Sequence, residues 1–258
     1  MKVIILAGGF GTRLSEETSL IPKPLVEVGG KPIIDHIMNI FSNQGYNEFI
    51  ILLGYKGYLI KEYFYNYYLR LNDVTIDLKD SEVTYHNNSK NKWKITLLDT
   101  GEKSMTGGRI KRAKDFIGDE TFMLTYGDGV ANINLDKLNA FHKFHDGLAT
   151  MTAVQPEGRF GIIEFGEENR VTNFREKPTE SEGWINGGFF VCSPKVLDYI
   201  SDDMTVFEHG PLETLATEGK LYTYQHNGFW KCMDTLRDKH YLDELCGKNS
   251  APPWEKID

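Results

Sequence analysis

Apolar and polar positions along this chain fall into two periods. Val3-Ile4-Ile5-Leu6 and Phe49-Ile50-Ile51-Leu52-Leu53 are unbroken apolar runs, short for helices but suited to strands buried on both faces. Residues 121–126 and 187–191 read the same way. Between them the spacing becomes helical. Pro32 stands where a helix start tolerates proline, Ile33, Ile34, Ile37, Met38 and Phe41 share one face, and Gly45 stops the run. Residues 59–71, 107–117, 135–145 and 235–245 are predicted as further helices, the third with Leu135, Leu138, Phe141 and Phe144 inward.

Short alternating stretches at 74–76, 83–85 and 94–98 predict an antiparallel excursion, and 149–154, 162–165 and 171–174 a hairpin-rich section. Strands and helices alternate through the first half. The expected fold is therefore α/β, a Rossmann-like three-layer arrangement on a mixed, mostly parallel sheet with β-rich insertions. With no repeat, low-complexity tract or clear linker, residues 1–258 are expected to form one domain with insertions. The predicted helix 59–71 is preceded by Tyr58 and carries Tyr63, Phe64, Tyr65, Tyr67 and Tyr68; this stripe is read as core or subunit contact in preference to a ligand-stacking box.

Composition narrows the function classes. A net charge of −8 argues against a nucleic-acid binder, which would carry a basic face. No apolar run approaches the roughly 20 residues of a membrane span, and no secretory leader is evident. Three widely spaced cysteines, Cys192, Cys232 and Cys246, fit a reducing cytoplasm better than a disulfide framework or a zinc site.

The segment after the first predicted strand carries the most chemistry. Leu6-Ala7-Gly8-Gly9-Phe10-Gly11-Thr12-Arg13 is a glycine-rich turn whose amides can approach phosphate oxygens, and Arg13 and Lys23 add two cations. A dinucleotide fingerprint fails, because Leu14 stands where its third glycine belongs and 49–53 lacks a terminal acidic residue; a dehydrogenase is disfavoured accordingly. A Walker-type loop fails too, for want of Gly-Lys-Ser/Thr. Gly127-Asp128-Gly129 follows a predicted central strand, where open α/β sheets bind ligands. Asp234, before Thr235, reads locally as a helix N-cap. Arg175-Glu176-Lys177-Pro178 reads locally as a solvated strand end, and Asn186 offers the donor and acceptor a sugar hydroxyl requires, beside Gly187 and Gly188. The stretch Ser104-Met105-Thr106-Gly107-Gly108-Arg109 opens a helix at whose N-terminus an anion or a base edge could sit. His142 and His145 have no third ligand nearby and are expected at the surface of a helix end; the other histidines form no readable cluster.

Taken in order, Gly8-Gly9-Phe10-Gly11-Thr12-Arg13, Lys23-Pro24, Gly127-Asp128, Glu176-Lys177-Pro178, Asn186-Gly187-Gly188 and Asp234-Thr235 resemble the sugar nucleotidyltransferases over essentially the whole chain. The resemblance implies the nucleotidyltransferase fold, with a nucleotide-binding half about 1–130 and a sugar-phosphate half about 131–258. It implies that Leu6, Ala7, Gly8, Gly9, Phe10, Gly11, Thr12, Arg13, Lys23, Ser104, Thr106, Gly107, Arg109 and Gly127 surround the nucleotide. Glu176, Lys177, Asn186, Gly187 and Gly188 would hold the sugar phosphate. Asp128 and Asp234 would bind Mg²⁺, and Arg13, Lys23 and Lys177 would carry the transfer. Thr106-Gly107-Gly108-Arg109 and Pro156-Glu157-Gly158-Arg159-Phe160-Gly161 are similar to the branch using CTP and glucose 1-phosphate. The alternatives are the same chemistry with dTTP or UTP, or a silent, sugar-nucleotide-binding regulatory relative. The resemblance also implies a role in bacterial surface polysaccharide synthesis, such as O-antigen; the tyrosine-rich helix 59–71 and Trp254 are the candidate contact surfaces of an expected homo-oligomer, and composition leaves no nucleic-acid or membrane partner expected.

Overall fold

In the computed structural model, which describes residues 1–86, 91–156, 162–165, 171–175, 183–247 and 251–257, seven strands build one sheet. They are β1 (Lys2–Ala7), β2 (Glu48–Leu53), β3 (Lys94–Asp99), β4 (Phe122–Tyr126), β5 (Ala149–Val154), β6 (Ile185–Cys192) and β7 (Leu221–His226). Their order across the sheet is β7-β5-β6-β4-β1-β2-β3. β6 alone runs against the rest, antiparallel to β4 and β5. The mixed, mostly parallel α/β sheet predicted from the sequence is the one observed.

Unbroken apolar strands are explained by the two layers that cover them. Val3, Ile5, Phe49, Ile51 and Met123 pack into one buried cluster with helix α1 (Ile33–Ser42), while Ile4, Leu6, Ile50, Leu52 and Leu124 face a second cluster containing Ile110, Val196 and Phe207. Trp254 closes the first layer, its indole N–H donating to His36 Nδ1 at 3.2 Å. Every apolar position predicted for the face of α1 is buried.

Several local expectations need correction. The stretch 94–98 belongs to the main sheet, as the edge strand β3 parallel to β2; only Val74–Asp77 and Glu82–Tyr85 form the antiparallel excursion. β5 likewise lies inside the main sheet, and β7, which the sequence reading lacked, flanks it. The predicted helix 59–71 breaks at Asn66 into α2 (Gly57–Tyr65) and α3 (Tyr67–Leu71), where Tyr63 and Tyr67 both turn inward to donate to Asp35. The helix at 107–117 breaks at Ala113, leaving α4 (Thr106–Arg112) and a short turn after it. In α5 (Leu135–Phe144), Phe144 is 90% exposed where an inward position was expected, because it lies at the last turn, beyond the sheet. No helix among the described residues is long and apolar enough to cross a membrane.

Candidate active site

β1 leads to β2 and β3 on one side, and the chain then returns to place β4 on the other side of β1. A crevice at the carboxyl ends of β1 and β4 follows from that reversal. A cavity of about 430 Å³ opens there, walled by residues 6–13, Lys23, Pro24, residues 102–106, Arg109 and residues 126–128. The two strand ends are stitched together by the Gly127 amide, which donates to the Leu6 carbonyl at 2.9 Å.

The glycines of the loop after β1 serve different ends. Gly9 has open space where a Cβ would stand, as close approach of a phosphate requires. Gly11 adopts φ +64°, and the Thr18 hydroxyl donates to its carbonyl at 3.0 Å, folding the loop back on itself. At Gly8 a Cβ would lie 2.4 Å from the Arg109 guanidinium.

Arg109 is buried and donates to the carbonyls of Gly8, Leu53, Gly101 and Glu102 and to the Thr100 hydroxyl, at 2.7–3.1 Å. Its guanidinium splints the loop after β1 to the ends of β2 and β3, so it forms part of the cavity wall with both terminal nitrogens engaged. Ser104 and Thr106 line the cavity as expected, the Thr106 hydroxyl donating to Glu208 at 2.6 Å. Gly107 is not on the wall: it packs against Thr205, whose carbonyl a Cβ would meet at 2.7 Å. The opening turn of α4 is closed as well. The amides of Met105 and Gly108 donate to the carbonyls of Asp203 and Thr205, so the open anion-binding end read from the sequence is occupied by this neighbouring segment.

Two distant carboxylates converge beside the loop. Directly after Asp128, Gly129–Ala131 pairs antiparallel with Trp230–Cys232, and the Met233 amide donates to the Asp128 carbonyl at 2.8 Å. This ribbon carries Asp234 to Asp128 across more than a hundred residues of sequence. Lys23 lies between them, its Nζ 2.6 Å from Asp128 Oδ2 and 2.8 Å from Asp234 Oδ1; Arg13 Nη1 reaches Asp234 Oδ2 at 2.8 Å. Burial pulls the Lys23 pKa down, but the two carboxylates outweigh it and raise the net value above the ordinary lysine range. Burial pushes Asp234 up, and the hydrogen bond and charge of Lys23, aided by Arg13, hold it below the ordinary carboxylate value.

Asp234 is not the N-cap that its local sequence suggested. Thr235 caps α6 (Leu236–Cys246) and Asp238 completes the capping box, accepting from the Thr235 amide at 3.0 Å. The Asp234 carboxylate is thereby left for the site. Two carboxylates gathered on one cation are a hard-oxygen set suited to Mg²⁺, which takes one or two carboxylates plus phosphate oxygens and water. Among the described residues no group of three or more His, Cys, Asp or Glu forms a fuller ligand set.

On the far side of β4, Asn186 donates to the Tyr126 hydroxyl at 3.1 Å, and that hydroxyl donates to Glu208. Read from the sequence, Gly187 and Gly188 let a hexose lie against the backbone; in the fold the space left by their missing Cβ atoms is taken by other side chains. A Cβ on Gly187 would strike Val154, and Gly188, at φ +80°, gives way to the Tyr126 ring. Glu176 and Lys177 lie outside the described residues, as do residues 157–161. Sequence reasoning missed Tyr126 and Glu208, because a lone tyrosine at a strand end and a lone glutamate in a loop carry no spacing signal. His142 and His145 share the Thr150 hydroxyl at 2.9 and 2.7 Å, and His142 is buried where a surface position was expected. Burial, with His145 beside it, lowers the His142 pKa to about 4.

The family model for nucleotidyl transferases matches residues 2–231. Two curated relatives, glucose-1-phosphate cytidylyltransferases of Salmonella typhi and Salmonella typhimurium, are each 51% identical, the alignment covering 99% of this chain and 100% of theirs. Among solved structures, HddC from Yersinia pseudotuberculosis superposes with a TM-score of 0.68 at 25% identity, over 94% of this chain and 98% of its own. With the glycine loop, the switch-point crevice and the paired aspartates in place, this chain belongs to the nucleotidyl transferase family.

Proposed function

We propose that the chain transfers a cytidylyl group from CTP to α-D-glucose 1-phosphate, giving CDP-glucose and pyrophosphate. The observation that carries the reading is the convergence of Lys23, Asp128 and Asp234 beside the open face of Gly9. The near full-length similarity to glucose-1-phosphate cytidylyltransferases supports the choice of base and sugar.

In this reading the half about 1–130 takes the triphosphate and the half about 131–258 the sugar phosphate. The loop amides and Arg13 cradle the β- and γ-phosphates, while Lys23 swings from the aspartates toward the α-phosphate. A phosphate oxygen of glucose 1-phosphate attacks the α-phosphorus in line, and pyrophosphate leaves. A phosphate monoester has a second pKa of about 6, so the attacking oxygen is already ionised near neutrality and no protein base is required. The residues contribute positioning and charge neutralisation. Mg²⁺, held by Asp128 and Asp234, would supply further neutralisation of the phosphate charge. Glu176, Lys177 and Asn186 are assigned to the sugar phosphate.

The test is pyrophosphate release with CTP, Mg²⁺ and glucose 1-phosphate together, each omitted in turn, then with ATP, GTP, UTP and dTTP in place of CTP. Release that needs all three, with CTP preferred, is expected. Preference for UTP or dTTP refutes the base assignment, and no release with any triphosphate refutes catalysis.

A further inference from the structure

Glu208 is not on the wall of the nucleotide cavity, yet two side chains that are end their hydrogen bonds on its carboxylate. The Thr106 hydroxyl donates to Oε2 at 2.6 Å, and the Tyr126 hydroxyl donates to Oε1. Thr106 opens α4 and Tyr126 closes β4, so one carboxylate joins a helix start to a strand end. The root of Glu208 is fixed independently of both. Phe207 before it is fully buried, the amides of Met105 and Gly108 donate to the carbonyls of Asp203 and Thr205, and Arg112 Nε donates to Asp203 Oδ1 at 2.8 Å.

Every donor in this network points toward Glu208. On one arm the Gly188 amide donates to Asn186 Oδ1 at 2.8 Å, Asn186 Nδ2 donates to the Tyr126 hydroxyl at 3.1 Å, and that hydroxyl donates to the carboxylate. On the other, the Phe207 amide donates to Thr106 Oγ1 at 2.8 Å, and Thr106 donates onward. An ionised carboxylate only accepts, so both hydroxyl protons must face it. The Tyr126 oxygen then has only lone pairs to offer Asn186, which must turn an N–H toward it and its own oxygen toward Gly188. Were the Tyr126 proton turned to Asn186 instead, the amide would have to flip, and its NH₂ would meet the Gly188 N–H head-on. Fixing the amide also fixes the direction of its second N–H, and a polar group held in place before its ligand arrives loses less freedom on binding.

We propose that Glu208 is a positioning residue for both substrates: through Tyr126 it orients the Asn186 amide for the sugar phosphate, and through Thr106 it braces the nucleotide wall, a role that rests on the reaction proposed above.

The experiment is steady-state kinetics with CTP, Mg²⁺ and glucose 1-phosphate on wild type, Tyr126→Phe, Glu208→Ala and Glu208→Gln, with circular dichroism to verify folding. Tyr126→Phe cuts only the arm to Asn186; it should raise KM for glucose 1-phosphate about tenfold and leave KM for CTP within about threefold of wild type. Glu208→Ala cuts both arms and should raise both KM values about tenfold. Glutamine brings an oxygen for the Tyr126 hydroxyl and an N–H for Thr106 Oγ1, so Glu208→Gln should hold both KM values within about threefold of wild type. A carboxylate that only held its segment in place would change the yield of active enzyme, and with it kcat, but neither KM. An unmoved KM for glucose 1-phosphate in Tyr126→Phe or Glu208→Ala, or Glu208→Gln as impaired as Glu208→Ala, would overturn the proposal. If Glu208→Ala does not fold, Tyr126→Phe decides. Absence of turnover by wild type would overturn the reaction itself, and this role with it.

Discussion

Replacing Gly8 with alanine sets one methyl group against the guanidinium that organises the cavity wall. The backbone at Gly8 lies outside the left-handed region, so alanine meets no conformational barrier there; the conflict is with Arg109. The new Cβ would stand 2.4 Å from both Cζ and Nη1, and must open that gap by about 1 Å to reach ordinary contact. Arg109 cannot retreat without lengthening the hydrogen bonds to Gly8, Leu53, Thr100, Gly101 and Glu102. The acceptors at Gly101 and Glu102 lie nearest solvent and rehydrate, and Leu53 keeps the Thr100 amide and hydroxyl as donors. About two charged hydrogen bonds are therefore lost outright, at about 1.5 kcal/mol each, so Gly8→Ala should cost about 3 kcal/mol. Arg109→Ala should cost about 3–4 kcal/mol for the same bonds and the space left behind. In the Arg109→Ala background the methyl has room, and adding Gly8→Ala should cost under about 0.5 kcal/mol, a coupling of about 2–3 kcal/mol. Urea unfolding of the four proteins measures it. Additive losses would show that Gly8 answers to some other neighbour and that the splint is not what fixes the loop.

Lys23→Ala should reduce turnover by about 10²–10³-fold while circular dichroism stays native, since a cation poised for developing phosphate charge is removed; near-normal turnover would end its catalytic assignment. Asp35, buried and accepting from Tyr63 and Tyr67, has its pKa pushed up to about 6 by burial, so the folded protein holds its proton more tightly than the unfolded chain. Its charge therefore burdens the fold above that pH and is relieved as pH falls toward 4. The unfolding free energy of Asp35→Asn minus that of wild type should rise by about 2 kcal/mol between about pH 4.5 and 7.5, and a flat difference would contradict the burial argument. His142 acts in the opposite sense. It is held neutral when folded, so its contribution is present near neutrality and lost as pH drops from about 6.5 through 4; His142→Gln should flatten the acid limb of a thermal-unfolding profile. Thr235→Ala should lower stability by about 1–2 kcal/mol through loss of the α6 cap, read by the same urea titration.

The parts of this molecule that show in the sequence are those fixed by local patterning. Continuous apolar runs declared β1, β2 and β4 because both faces of the sheet are covered, and the failed dinucleotide and Walker patterns narrowed what the loop after β1 could be. Lys94–Asp99 was misjudged because an edge strand is half-buried and mimics the alternation of a hairpin. Asp234 shows how far local reading goes. Its neighbours spell a helix cap, and a cap is indeed there, one residue later at Thr235. The pairing that turns Asp234 toward Asp128 is a long-range ribbon without a signature of its own. Arg109 was legible as a cation near a nucleotide but not as a splint, since its acceptors are backbone carbonyls that every sequence possesses. Glycines misled in the same way: Gly187 and Gly188 make room for Val154 and Tyr126, a need visible only after packing.

The ribbon joining residues 129–131 to 230–232 sets an order of events during synthesis. In chain order the seven strands of the main sheet are complete at His226, and Asp234 is added only afterwards. A nascent chain can thus contain every strand of the main sheet while lacking half of its acidic pair, which is joined only after the second strand of the ribbon has been made.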